Sequence, residues 1–287
     1  MGLKCQILLT PIETSVYRSG DLIRGILKFS LNKATRFNYI NVCFIGDGFS
    51  PDSDERGTTF REDFISQQKN YPSWSQRVLH EGLYEDSFEF LLPENLPSTF
   101  KEYTFHITYK IIAIFSKYGI LNSETKFDTE IPFRGHLKMC TDQTVFKLTK
   151  TPLFTSSSEL INLKAKIANR YLMPGEDIKL TINLNNDTSV PILGIESKLI
   201  EEITFRSPNR RYQNTYKKII DKNLIRFRIL QEGVVYFTCV VSTFPGLKSI
   251  QNCNIFGKEY MLHITVILPY FHRNATLKIP VVIGERK

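Results

Sequence analysis

The densest group of side chains able to do chemistry lies between Arg206 and Arg228. Those 23 residues hold Arg206, Arg210, Arg211, Lys217, Lys218, Lys222, Arg226 and Arg228 against one acid, Asp221, a local charge of +7 in a chain whose total is +8. Residues 1–150 carry 18 basic and 18 acidic side chains, whereas residues 151–287 carry 19 and 11. A planar guanidinium fork suits phosphate and carboxylate, and packed cations raise the local concentration of anions. Arg206, Arg210, Arg211, Lys217 and Lys218 are therefore candidates for binding phosphate, an acidic peptide or an anionic lipid headgroup. The alternative is an ordinary solvated hairpin, and strand alternation would send some of these residues to opposite faces. Tyr212 and Tyr216 are interleaved with the cations, but no nucleic-acid-binding module accompanies them, so no nucleic acid is expected as a partner.

Other chemistry finds little support. His80, His106, His136, His263 and His272 are scattered, and none stands at a ligand or triad spacing to Cys, Asp or Glu. There is no Gly-x-Ser-x-Gly and no phosphate-cradling glycine loop. Asp52, Asp54, Gly57 and Asp63 imitate part of a calcium loop, but Arg56 occupies a ligand position and no flanking helices are evident, so a solvated loop is expected. No catalytic residue, metal or cofactor is expected. Cys5, Cys43, Cys140, Cys239 and Cys253 are odd in number and widely spaced, without a CxxC, which predicts free thiols in a reducing compartment. The start lacks the apolar run of a signal peptide, and Gln6 stands where a myristoylation motif after Gly2 wants Ser or Thr. The expectation is a soluble intracellular protein.

The elements that must position these residues come from a stretch that occurs twice. Tyr17-Arg18-Ser19-Gly20-Asp21 leads into Ile23, Gly25, Leu27 and Phe29, and Tyr171-Leu172-Met173-Pro174-Gly175-Glu176 leads into Ile178, Leu180, Ile182 and Leu184. Each copy is a turn whose glycine supplies positive φ, followed by a strand of period two. Arg24, Lys28 and Lys179 fall on the opposite strand faces. The match continues in order. At an offset of 155 Ile40, Val42 and Phe44 meet Ile195, Ser197 and Leu199; at 151 Glu81-Gly82 meets Glu232-Gly233, and Tyr109 meets Tyr260; at 148 Ile131-Pro132 meets Ile279-Pro280. A period of about 150 residues is a whole domain, so a tandem duplication is expected.

Strands are predicted over 6–9, 23–31, 40–45, 83–92, 106–115 and 127–133, then over 163–167, 178–184, 195–203, 224–230, 235–241, 260–268 and 276–283. Gly46 ends one run, and residues 47–76 form a polar excursion with room for a short helix over Phe60–Gln68. The turn-rich segment 149–158 reads as a hinge between a first domain, 1–148, and a second, 159–287. With 21 Phe, 13 Tyr and almost no helical periodicity, the chain predicts an all-β protein of two tandem antiparallel, immunoglobulin-like β-sandwich domains.

Several pieces resemble a known family. Tyr-x-x-Gly-Asp before a strand, Ile45-Gly46-Asp47-Gly48, and Glu81-Gly82 followed by Phe88 to Phe100 with its proline-bounded loop are similar to the arrestin N-domain. Tyr171 with Pro174-Gly175-Glu176, the asparagine-rich Asn183 to Thr188, and the closing Ile279 to Gly284 resemble the arrestin C-domain. The Tyr-Pro-Gly-Glu form looks most like the α-arrestins, also called arrestin domain-containing proteins. The resemblance implies a non-catalytic intracellular adaptor. It would bind membrane receptors or transporters through acidic or phosphorylated cytoplasmic segments, with anionic lipid headgroups as further partners, and influence trafficking or endocytosis. It also makes Arg24 and Lys28 candidates for anion binding on the first domain, and implies a cytoplasmic location peripheral to the plasma membrane or endosomes. The chain has no Pro-Pro-x-Tyr motif, so ubiquitin-ligase recruitment by that route is not expected. Rival readings are a coat-type scaffold resembling the arrestin-like retromer subunit and, from another class, a secreted adhesion sandwich.

Overall fold

The computed structural model describes residues 2–13, 15–50, 59–103, 105–119, 123–138, 143–209, 211–230 and 233–285. The calcium-like positions Asp52, Asp54 and Gly57, together with Arg210, Cys140 and Glu232, lie outside the described residues. The described chain is strands, turns and one 3-10 turn at Pro72–Trp74. None of its helices is long and apolar enough to cross a membrane.

Two compact units divide the fold. The first holds β1 (Leu3–Leu9), β2 (Tyr17–Arg18), β3 (Leu22–Leu31), β4 (Thr35–Ser50), β5 (Phe60–Asn70), β6 (Arg77–Leu79), β7 (Gly82–Leu91), β8 (Phe100–Glu102), β9 (Phe105–Lys117), β10 (Glu124–Glu130) and β11 (Phe133–Arg134). One sheet runs β1-β3-β7 and the other β10-β9-β4-β5. Every hydrogen-bonded pair along these two paths is antiparallel. Their inner faces carry aromatic rings that meet across the sandwich. Phe29 on β3 packs edge-on against Phe115 on β9 with centroids 5.0 Å apart, and Phe44 on β4 lies 6.1 Å from Phe90 on β7. Such pairs add about 0.5–1.5 kcal/mol beyond the burial of their area.

The second unit contains β12 (Val145–Lys150), β13 (Ile161–Ile167), β14 (Tyr171–Leu172), β15 (Ile178–Asn186), β16 (Ile192–Arg206, except Arg206 itself, which groups with the first unit), β17 (Gln213–Ile229), β18 (Gly233–Val241), β19 (Phe256–Ile267) and β20 (Ala275–Ile283). Its sheets run β12-β13-β15-β18 and β14-β20-β19-β16-β17. The core is aliphatic: Leu163, Ile182 and Leu184 from one sheet and Ile195, Leu199, Leu262 and Ile279 from the other are buried together. Val145–Lys150 bonds in register along Ile161–Ile167, from Val145↔Lys166 to Lys150↔Ile161. That pairing puts into the second unit a stretch that the sequence reading assigned to the end of the first domain and the start of a hinge. The first unit's continuous N-terminal run ends at His136.

The duplication is present in the strand order and in the register. β1-β3-β7 repeats as β13-β15-β18, and β10-β9-β4-β5 repeats as β20-β19-β16-β17. Leu31↔Gly82 recurs as Asn186↔Gly233, Arg24↔Glu89 as Lys179↔Val240, and Gly46↔Tyr109 as Glu201↔Tyr260, all at the offsets of 155 and 151. Gly20 and Gly175 sit at equivalent turns with φ of 88° and 87°, in the left-handed region that glycine enters without a Cβ clash.

Two sequence expectations are corrected. Gly46 does not end its strand, because β4 continues to Ser50. A Cβ on Gly46 would lie 2.3 Å from the Tyr109 ring and one on Gly48 2.8 Å from the Phe64 ring, so glycines here make room for aromatics inside a continuing strand. Phe60–Gln68 is not a helix but most of β5, paired with β4 from Ser50↔Phe60 to Asn41↔Asn70. As an edge strand with a polar outer face it blurs the period-two signal, and Phe60, Phe64 and Ile65 fit either reading.

Candidate functional site

The basic segment is mostly strand. Gln213–Ile229 forms β17 beside β16, where the sequence reading expected a loop with strand flanks. Arg206 closes β16 and Arg211 lies in the turn after it, and both group with the first unit; Lys217 and Lys218 belong to the second. The structure therefore does not bring the four described candidates together within one unit.

Acids on β16 engage part of the charge. Lys217 Nζ is 2.7 Å from Glu202 Oε1, and Lys222 Nζ is 2.7 Å from Glu196 Oε1, which also pairs with Lys198. Burial raises the Glu196 pKa, but hydrogen bonds from Lys198 and Lys222 and their charges outweigh it, and the carboxyl sits below its ordinary value. Asp221 is occupied elsewhere, accepting from the Ser242 amide at 2.8 Å. Lys218, Arg226 and Arg228 are exposed and make no ion pair among the described residues. Sequence reasoning missed the counter-charges because Glu196 and Glu202 lie on a different strand, and only cross-strand register brings them alongside.

On the first unit Arg24 and Lys28 do share the outer face of β3, as period two requires. Each is paired across to β7: Arg24 Nε to Glu89 Oε2 at 2.6 Å and Lys28 Nζ to Glu85 Oε2 at 3.7 Å. The register partners Arg24↔Glu89 and Lys28↔Glu85 dictate both pairs. An incoming anion would have to displace a carboxylate.

The second unit also buries an ion pair. Glu201 and Lys258 are 6% and 5% exposed, with Lys258 Nζ 3.3 Å from Glu201 Oε2. The fully buried Tyr260 donates its hydroxyl to the same oxygen at 2.9 Å and accepts the Lys248 amide at 3.2 Å. Its counterpart Tyr109 instead donates to the Pro97 carbonyl at 2.6 Å, and burial pushes that phenol well above its usual pKa.

No chemistry gathers around the histidines. His263 lies opposite Lys278 on β20, and burial together with that charge lowers its pKa. Cys5, Cys43, Cys239 and Cys253 are free thiols; burial pushes Cys5 up to about 12. Among the described residues no group of three or more His, Cys, Asp or Glu is placed to hold a metal. An open cleft of about 720 Å³ in the first unit is lined by Asn38, Tyr39, Asn41, Gln68 and Asn70, which are amides and a phenol with no carboxylate or imidazole among them.

Two successive antiparallel sandwiches of one strand order make a duplicated all-β scaffold. Residues 5–132 match the family model described as "Arrestin (or S-antigen), N-terminal domain", and residues 157–287 match "Arrestin (or S-antigen), C-terminal domain". The chain belongs to the arrestin family. It is similar to arrestin domain-containing protein 5 of Homo sapiens, with 25% identity over 99% of this chain and 88% of that protein. The protein of the same name from Bos taurus is 24% identical over 99% of this chain and 92% of its own length. These relatives place the chain with the α-arrestins.

Proposed function

We propose that this protein is a non-catalytic adaptor that binds acidic or phosphorylated cytoplasmic segments of membrane receptors or transporters and influences their trafficking. The observation that supports the reading is the presence of both arrestin domains, in order, over nearly the whole chain. Such an adaptor works in the cytoplasm, peripheral to the plasma membrane or endosomes. Arg211, Lys218, Arg226 and Arg228 are the cations best placed to meet cargo, because their side chains make no ion pair among the described residues. Arg24, Lys28 and Lys217 each exchange a carboxylate for the incoming anion.

The test is direct. The full chain is tagged for proximity labelling in its native cell type, and membrane proteins enriched over a tagged control are synthesised as paired phosphorylated and unphosphorylated cytoplasmic peptides. The reading expects saturable binding by at least one pair, weakened by added salt and by K218E/R226E/R228E. Enrichment of one stable soluble complex, with no membrane protein, would sink it in favour of a scaffold subunit.

A further inference from the structure

The outward face of β12-β13-β15-β18 differs from its duplicate in the charges it carries. Register lays its side chains out as a grid. One row reads Lys147, Lys164, Asn183, Tyr236; the next reads Val145, Lys166, Thr181, Thr238; a third pairs Lys179 with Val240; the row on the other side reads Thr149, Asn162, Asn185, Val234. Of these outward positions four are lysine and none is acidic. Lys147, Lys164, Lys166 and Lys179 are exposed and make no ion pair among the described residues. Lys147 and Lys164 stand directly opposite one another, a like-charge pairing that works against the sheet. Acids stand only at the ends of β15: Asp177 precedes it, two residues from Lys179, and Asp187 follows it and accepts from Asn185 at 2.9 Å.

The duplicate sheet β1-β3-β7 shows what this face lacks. There Arg24 is answered by Glu89 and Lys28 by Glu85. At the repeat offsets Glu89 becomes Val240 and Glu85 becomes Tyr236, while Arg24 becomes Lys179. Both carboxylates of the first copy are thus replaced by apolar or aromatic side chains held in solvent. Val234, Tyr236 and Val240 are 51%, 69% and 46% exposed along β18. The first copy's counter-charges are missing here, and the lysine row beside an apolar margin is open to an anionic partner.

The geometry points to docking of this sheet face on an anionic membrane leaflet. The charges are spread over a pleated sheet and not gathered around a cavity. They are lysines, mobile point charges without the fork that reads one carboxylate or phosphate. The apolar margin includes a tyrosine, which favours the headgroup boundary of a bilayer. Each lysine held near such a surface raises partitioning by about fivefold. The face is on the opposite sheet from β16 and β17, and the inference stands whether or not the cargo reading above is right.

Vesicle sedimentation of the full chain tests it. Phosphatidylcholine vesicles with about 30% phosphatidylserine are compared with pure phosphatidylcholine, at about 0.1 M and about 0.5 M salt. Binding is expected only with the anionic vesicles, and to fall at high salt. K164Q/K166Q lowers partitioning by about tenfold or more, and Y236S lowers it without weakening the salt dependence, whereas K217Q/K218Q on β17 changes it by less than about twofold. In parallel, amine labelling read by mass spectrometry on the unaltered protein should show Lys147, Lys164, Lys166 and Lys179 protected by anionic vesicles alone. Undiminished binding by a folded K164Q/K166Q, or labelling of these lysines unchanged by vesicles, overturns the inference. So does wild-type protein that ignores vesicles but is retained by polyglutamate, which would give the face to an acidic protein.

Discussion

Replacing Lys258 by methionine tests how the second sandwich tolerates a charge in its interior. The substitution keeps most of the side-chain volume and removes the ammonium 3.3 Å from Glu201. Glu201, 6% exposed, then keeps the Tyr260 hydroxyl at 2.9 Å as its remaining interaction among the described residues. One hydrogen bond to a charged group is worth about 1.5–3 kcal/mol, too little to offset the desolvation of a carboxylate. Breaking such a pair from one side costs about 3–5 kcal/mol, roughly a fifth or more of the stability of an ordinary domain. Urea denaturation followed by circular dichroism and by the tyrosine signal should show K258M shifted by that amount. The double variant E201L/K258M removes both charges and should recover most of the loss, because a buried pair replaced by apolar groups is often neutral. The reasoning fails if K258M loses less than about 1 kcal/mol, or if the double variant costs the sum of its single changes.

Other outcomes follow from the same structure. G20A and G175A should each destabilise by about 1 kcal/mol through backbone strain alone, since a Cβ at Gly20 meets nothing within 4 Å and at Gly175 only Pro245 at 3.5 Å; denaturation midpoints measure this, and an unchanged midpoint contradicts it. The folded-state pKa of Glu196 is depressed, so its contribution is fully present above the unfolded carboxylate value, near 4.3, and is lost as pH falls through the lower folded value. E196Q should therefore lower stability at neutral pH and flatten its decline in acid, and equal acid sensitivity in both proteins would contradict this. Cys5, with its thiol raised to about 12, should alkylate far more slowly at pH 8 than a small free thiol, read by mass spectrometry of the native protein; labelling at the free-thiol rate would exclude that burial.

Much of the fold was legible because each half repeats one turn chemistry and one alternation. Positive φ at Gly20 and Gly175, and the registers that follow from them, came from short-range signals: a glycine, an acid and a period of two. Strand ends were harder. Gly46 and Gly48 look like breakers until the rings of Tyr109 and Phe64 are seen against them, and β5 carries its apolar residues at spacings that a helix shares. The site was less legible still. The run from Arg206 to Arg228 is conspicuous as a string, but its effective charge depends on Glu196 and Glu202 across a ladder. The lysine face is invisible as a string, because Lys147, Lys164, Lys166 and Lys179 come from three strands spread over 33 residues. Only register makes them neighbours.

The shared register of the two sandwiches also bears on how a nascent chain keeps its strands from pairing with the wrong copy. Repeated domains misassemble by exchanging equivalent elements, and β16 could in principle seek β9 in place of β19. The tyrosine position resists that exchange. Where Tyr109 expects Gly46, the ring occupies the space a Cβ would need, 2.3 Å away. Strand β16 would bring Glu201 to that spot, driving a carboxylate into an aromatic ring and leaving it without Lys258. The reverse exchange would set Gly46 against Tyr260, depriving its hydroxyl of the Glu201 acceptor and Lys258 of its carboxylate. A glycine in one copy and a buried ion pair in the other thus act as a key that tells each strand which half it belongs to.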